Sequence, residues 1–110
     1  MLPKYLKLKK FDFEYLFKVG EKFSNKYFFI IKVKNPETKF SVIPSSKEFK
    51  KAVERNKIKR RIYEIIRLNL KKIPEGIYII LPKKNAFGVE FKELEKNLLE
   101  LLINKKSTRC

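Results

Sequence analysis

The sequence predicts a small α/β sandwich with the element order α-β-β-α-β-α. Three observations predict it. Residues 50–67 and 90–104 place apolar side chains at helical spacing. Residues 26–34, 40–43 and 77–81 are alternating or continuous apolar runs bounded by turn residues. Helical and strand-like segments follow one another with no repeat or linker, and 110 residues suit one domain over 1–110, with a basic arm at 1–9 and a tail at 105–110.

Asp12 is an N-cap residue for a first short helix, and Phe11 with Leu16 has the spacing of a hydrophobic staple. Phe13, Leu16 and Phe17 share one face of that helix, and Gly20 fits its C′ position. In the segment KYFFIIKVK, Tyr27, Phe29, Ile31 and Val33 point one way; Phe28, Ile30 and Lys32 point the other. Asn35–Thr38 is a turn, and Phe40–Ile43 is a second strand stopped by Pro44. The two strands read as an antiparallel hairpin. Ser45 and Glu48 have capping-box spacing, which would start the second helix near residue 46, although its periodicity strengthens later. Pro74-Glu75-Gly76 punctuates, Ile77–Leu81 is apolar enough for a central strand, and Lys83–Gly88 is a loop. Phe91, Leu94, Leu98, Leu101 and Leu102 form the buried stripe of the last helix.

Composition narrows the function. A formal charge of +16 repels itself in a compact fold, and a polyanionic partner, most commonly nucleic acid, accounts for it. A Lys-rich but merely soluble chain is the bland alternative. There is no His, which excludes Ser-His and Cys-His nucleophiles and His-based metal sites. The twelve acids are scattered, with no carboxylate cluster for a two-metal site and nothing that calls for a small-molecule substrate. The one cysteine, Cys110, suits a reducing compartment. The segment MLPKYLKLKK is too charged for a signal peptide and no apolar run approaches a membrane span, so the expectation is cytoplasmic, with no membrane partner.

The charge concentrates in KKAVERNKIKRRIYEIIR, residues 50–67, where eight of eighteen residues are Lys or Arg and two are Glu. On a helix, Ile58, Ile62, Ile65, Ile66 and Asn69 fall within one arc of about 100° that packs on the sheet. Lys59, Tyr63, Asn56, Arg67 and Arg60 fill the adjoining arc. A charged helix face is usually solvated, with acids and bases alternating. Here two acids cannot balance eight bases, and stacked like charges cost a few tenths of a kcal/mol each, so a binding face is the better reading. Arg and Lys match phosphate oxygens, while Asn and Tyr add hydrogen bonding and stacking.

The same stretch resembles the bacterial ribonuclease P protein family. Ser46-Lys47, Ala52-Val53, Arg55-Asn56, Lys59-Arg60 and Glu64 follow its pattern S-K-K, then A-V-x-R-N-x-x-K-R, then R-E. Asp12-Phe13, Phe17 and Gly20 match its D-F-x-x-x-F-x-x-G helix, and Pro74–Leu81 is similar to its P-x-G-Y-D-I-V-V strand; the likeness covers roughly residues 7–104. The departures are Glu48 for a usual Lys, Lys50 for a Gly, Lys57 for the third residue of an Arg-Asn-Arg run, Tyr63 for an Arg, and Ile31 for a strand aromatic.

The resemblance implies a ribosomal-protein-S5-domain-2-like, two-layer α-β sandwich with a left-handed βαβ crossover. It implies an RNA-binding subunit that assists a catalytic RNA, which holds Mg²⁺ and removes the 5′ leader of precursor tRNA, while the protein alone is inactive. The partners would be ribonuclease P RNA and the precursor tRNA leader. The RNA-binding residues would be Lys47, Lys50, Lys51, Arg55, Asn56, Lys57, Lys59, Arg60, Arg61, Tyr63 and Arg67. Phe13 and Phe17 would line a leader groove between the first helix and the sheet, with Lys59, Arg60 and Tyr63 as its opposite wall. Their i, i+4 spacing by itself reads as core, and both readings stand at this level. Two other functions share the charge and size: a structural, ribosomal-type RNA-binding protein, and a DNA-binding domain, which the absence of helix-turn-helix spacing disfavours.

Overall fold

The computed structural model describes residues 13–103. The arm, the Asp12 cap, the Phe11 staple, the Phe13 side chain, Cys110 and the tail fall outside what it describes. The elements run α1 (Phe13–Val19), β1 (Glu21–Ser24), β2 (Phe28–Val33), β3 (Lys39–Val42), α2 (Ala52–Leu68), β4 (Ile77–Pro82) and α3 (Phe91–Ile103). Single 3-10 turns at Leu70–Lys72 and Lys84–Ala86 flank β4.

The sheet order is β1-β2-β4-β3. This corrects the expected hairpin. The antiparallel partners of β2 are β1, in the register Phe23↔Ile30, and β4, in the register Ile30↔Ile80. The third strand instead lies parallel to β4, with Phe40 opposite Tyr78, so β3, α2 and β4 form a β-α-β unit. Sequence proximity favours a hairpin, but β4 is apolar on both faces and takes the centre of the sheet, leaving β3 its outer side. The extra strand, β1, is a short edge in which only Phe23 is buried. Its turn is fixed by Asn25, whose Oδ1 accepts the Tyr27 and Phe28 N–H groups at 2.9 and 3.0 Å.

The alternation of β2 splits the core. Phe28 and Ile30, with Phe40, Tyr78 and Ile80, pack beneath the predicted stripes of α2 and α3, and Ile58, Ile62, Ile65, Ile66, Leu94 and Leu98 are all buried there. Tyr27 joins this side rather than that of Phe29, because it precedes the strand. Ile31 and Ile79 face the other way, under Leu16 of α1. The sandwich therefore carries a partial third layer. Asn69 ends α2 inside the core, its Nδ2 donating to the Ile65 carbonyl at 2.8 Å and to Glu95 at 2.8 Å, which ties α2 to α3.

Gly20 follows α1 as expected, for a different reason. It is not in the left-handed region. A Cβ there would sit 2.6 Å from the Ile31 side chain and 2.8 Å from the Leu16 carbonyl oxygen, so glycine lets the helix end close onto the sheet. The second helix also starts later than the Ser45 capping pattern implied. Ser45 instead closes a turn, its Oγ accepting the Lys47 N–H at 3.1 Å, and α2 begins at Ala52, where Glu54 accepts the Lys51 N–H at 3.5 Å.

Tyr78 is fully buried under the helical layer and donates its hydroxyl to the Pro74 carbonyl at 2.7 Å. Burial pushes its pKa from 10.0 to about 12. The folded state holds this proton more tightly than the unfolded chain, so its contribution is complete below pH 10 and is lost as pH rises toward 12. Chemical denaturation across pH 8–12 should show Tyr78→Phe about 1 kcal/mol less stable than wild type at pH 8, from the lost hydrogen bond, with that gap closing above pH 10.

Candidate nucleic-acid interface

Helix α2 presents its cations in two groups. Arg55, Arg61 and Arg67 are engaged within the protein. The Arg55 guanidinium donates to the carbonyls of Phe49 and Lys50 at 2.7 and 3.2 Å, which holds the segment before the helix. Arg61 donates to the Val89 carbonyl at 2.8 Å, bridging to the approach of α3. Arg67 pairs in bidentate fashion with Glu64, at 3.0 and 2.5 Å, and this contact holds the Glu64 carboxyl below its ordinary pKa. The partners of Arg55 and Arg61 could not be read from the periodicity, since they are loop carbonyls, whereas Arg67 and Glu64 have the ordinary i, i+3 spacing of a helix pair.

The other cations stay outward. Lys47, Lys50, Lys51, Asn56, Lys57 and Arg60 are exposed and Lys59 is half-exposed. Among the described residues, the side chains of Lys47, Lys50, Lys51, Asn56, Lys59 and Arg60 make no ion pair or hydrogen bond. Among the described residues, the salt bridges Lys39–Glu37 and Arg67–Glu64 leave this group uncompensated. Outward ammonium and guanidinium groups without an acid partner have the chemistry to pair with phosphate oxygens.

Tyr63 requires a correction. The helical arc set it beside the exposed cations as a stacking ring, but it is 8% exposed and packs in the core with Ile62 and Ile66. Its hydroxyl is hydrogen-bonded to the backbone of Val42 in the edge strand β3; because this bond lowers the pKa that burial raises, the donor is the Val42 N–H. The ring is long enough to reach inward from the boundary of the stripe. Its position also locates the outward cations. Asn56, Lys59, Arg60 and Arg67 lie three, four and seven residues from Tyr63, so they line the helix above the free edge of β3.

The opposite face of the sheet is only partly covered. Helix α1 sits on β2 through Leu16, and Phe17 lies 40% exposed with its ring tilted 32° against Phe29 at 6.3 Å. The Lys22 ammonium stands 4.5 Å from the Phe17 centroid. From there half-buried Phe29, Leu81 and Ile43 run from β2 toward the β3 edge, roughly 10 Å at two strand spacings. Helices α1 and α2 lie on opposite faces, so Lys59 and Arg60 do not stand directly across from Phe17. The cationic row and the apolar floor meet around the β3 edge. A separate cavity of about 390 Å³, lined by Glu21, Lys32, Lys34 and Glu75 among others, balances its charges and shares no residue with this surface.

Among the described residues, no group of three or more Cys, Asp or Glu side chains could hold a metal ion, and no helix is long and apolar enough to cross a membrane.

The chain is similar to known proteins in both sequence and fold. Residues 2–106 match the family model described as Ribonuclease P. The chain is 33% identical over 103 residues to the ribonuclease P protein component of Finegoldia magna, covering 90% of this chain and 88% of that one. It is 36% identical over 93 residues to the component of Streptococcus pneumoniae, covering 83% and 76%. Its fold matches the ribonuclease P protein of Thermotoga maritima with a TM-score of 0.82 at 32% identity, covering 92% of this chain and 98% of that one. It matches that of Staphylococcus aureus with a TM-score of 0.81 at 26% identity, covering 94% and 98%.

Proposed function

Because the chain belongs to the ribonuclease P protein family, and so to the protein subunits of an endoribonuclease holoenzyme, we propose that it binds both the RNA subunit and the 5′ leader of precursor tRNA. The observation that carries this reading is the row of outward cations on α2, unpaired among the described residues, beside an open apolar sheet face. The cations at the start of α2 and in the turn before it hold the phosphates of the RNA subunit. The face from Phe17 to Ile43 takes the leader as an unpaired strand, by stacking and apolar contact that tolerate any base. In this reading the RNA subunit holds Mg²⁺ and hydrolyses the phosphodiester, the protein supplies affinity and position, and the assembly works in the cytoplasm.

Leader binding is tested by measuring the affinity of the assembled holoenzyme for precursor tRNA with and without its 5′ leader. Phe17→Ala should weaken binding of the leader-bearing substrate by about 5- to 150-fold, the worth of one stacked base, and leave the leaderless one unchanged. Equal loss on both substrates contradicts a leader contact at Phe17.

A further inference from the structure

The loop between β4 and α3 is folded against the start of α2, and it carries an exposed aromatic ring that neither the core nor the surface described above uses. Phe87 is 37% exposed. Phe49, fully buried beneath it, meets its ring edge-on, with centroids 6.3 Å apart and planes at 62°. The Lys57 ammonium lies 5.7 Å from the Phe87 centroid.

Single exposed apolar residues are ordinary on protein surfaces. Here, however, three polar anchors fix the surroundings of the ring. Arg55 holds the Phe49 carbonyl and Arg61 holds that of Val89, on either side of the aromatic pair. Glu48, which stands where the family pattern has a lysine, accepts the Lys84 N–H at 3.0 Å and joins the turn before α2 to the turn before Phe87. Gly88 follows in the left-handed region at φ +85°, and a Cβ built there would meet nothing within 4 Å, so the space beside the ring is open. The Glu48 carboxylate is committed to the backbone, while Lys57, over the ring, and Lys84, three residues before it, are exposed.

We propose that Phe87 is a stacking platform for an unpaired base of the RNA subunit, with Lys57 and Lys84 meeting the phosphates on either side. A ring that is braced from below, partly open and flanked by a lysine has the chemistry of a single-strand contact: the base gains stacking area and the ammonium groups neutralise its backbone. This contact lies at the start of α2, apart from the leader face at Phe17, and it rests on the RNA-binding reading above.

The chain contains no tryptophan, so Phe87→Trp introduces a unique fluorophore at the contact. Titration with bacterial ribonuclease P RNA should quench that emission while affinity stays near wild type. Phe87→Leu, which keeps an apolar cover over Phe49, should weaken binding of the same RNA by about 5- to 150-fold. Because no charge is removed, the dependence of affinity on salt should keep its slope. Thermal melts matching wild type confirm that both variants are folded. Unchanged tryptophan emission at saturating RNA, or Phe87→Leu binding within twofold of wild type, overturns the stacking contact and leaves the wider reading standing. If wild-type protein itself does not bind the RNA, the RNA-binding reading falls and this contact with it.

Discussion

Replacing Lys59 and Arg60 together with glutamate should reduce affinity for the RNA subunit by about 100-fold or more at moderate salt, each charged hydrogen bond being worth roughly 1.5–3 kcal/mol. The two side chains point outward and make no ion pair or hydrogen bond among the described residues, so the fold loses no such contact with them. The double variant should therefore melt like wild type. The salt dependence offers a second readout. Every phosphate contact adds about 0.7–0.9 to the slope of log affinity against log salt, so the slope should fall by roughly 1.4–1.8. Filter binding at four salt concentrations measures both quantities. Arg55 and Arg61 would give a different pattern, because they hold loop carbonyls; removing them disturbs the loop as well as the charge.

Tyr63→Ala should destabilise the protein by about 3–5 kcal/mol, as deletion of a buried aromatic side chain does. That is a large share of the 5–15 kcal/mol that typically holds a domain folded. It would lower RNA binding only by depleting the folded population. Tyr63→Phe keeps the ring in the core and loses the Val42 bond, so it should cost about 1 kcal/mol and bind RNA like wild type. If Tyr63 stacked on RNA from the surface, the alanine variant would instead keep its stability and lose affinity. Urea denaturation beside RNA titration of the two variants separates these cases.

Tyr63 also shows where the sequence stops being informative. Periodicity locates the centre of a buried stripe well, and Ile58, Ile62, Ile65, Leu94 and Leu98 are buried as their spacing implies. At the border of the stripe a long side chain can turn either way, and only the neighbouring strand decides; here the unpaired edge of β3 offers Tyr63 a partner. Strand β4 was legible because a run buried on both faces is apolar throughout. Strand β1 was not, since a four-residue edge with one inward phenylalanine carries too little pattern. The pairing of β3 was misread because adjacency along the chain favours a hairpin, whereas the parallel arrangement depends on α2 carrying the chain across the sheet. The cationic row was visible as composition and spacing. The division between cations that brace loops and cations that stay outward was not, because bonds such as Arg61 to Val89 join residues 28 positions apart. The Phe87 contact is not legible for a similar reason: nothing in a loop sequence shows that it folds against Lys57.

In the proposed function this chain enables a catalytic RNA to process precursor tRNA by holding RNA rather than by cleaving it. Cleavage of leader-bearing precursor tRNA by bacterial ribonuclease P RNA at low Mg²⁺ and moderate salt, with and without the protein, tests it most directly. The expected result is no cleavage by the protein alone, weak cleavage by the RNA alone, and strong stimulation when the two are combined. Folded protein that binds the RNA but leaves its cleavage rate unchanged would rule this function out.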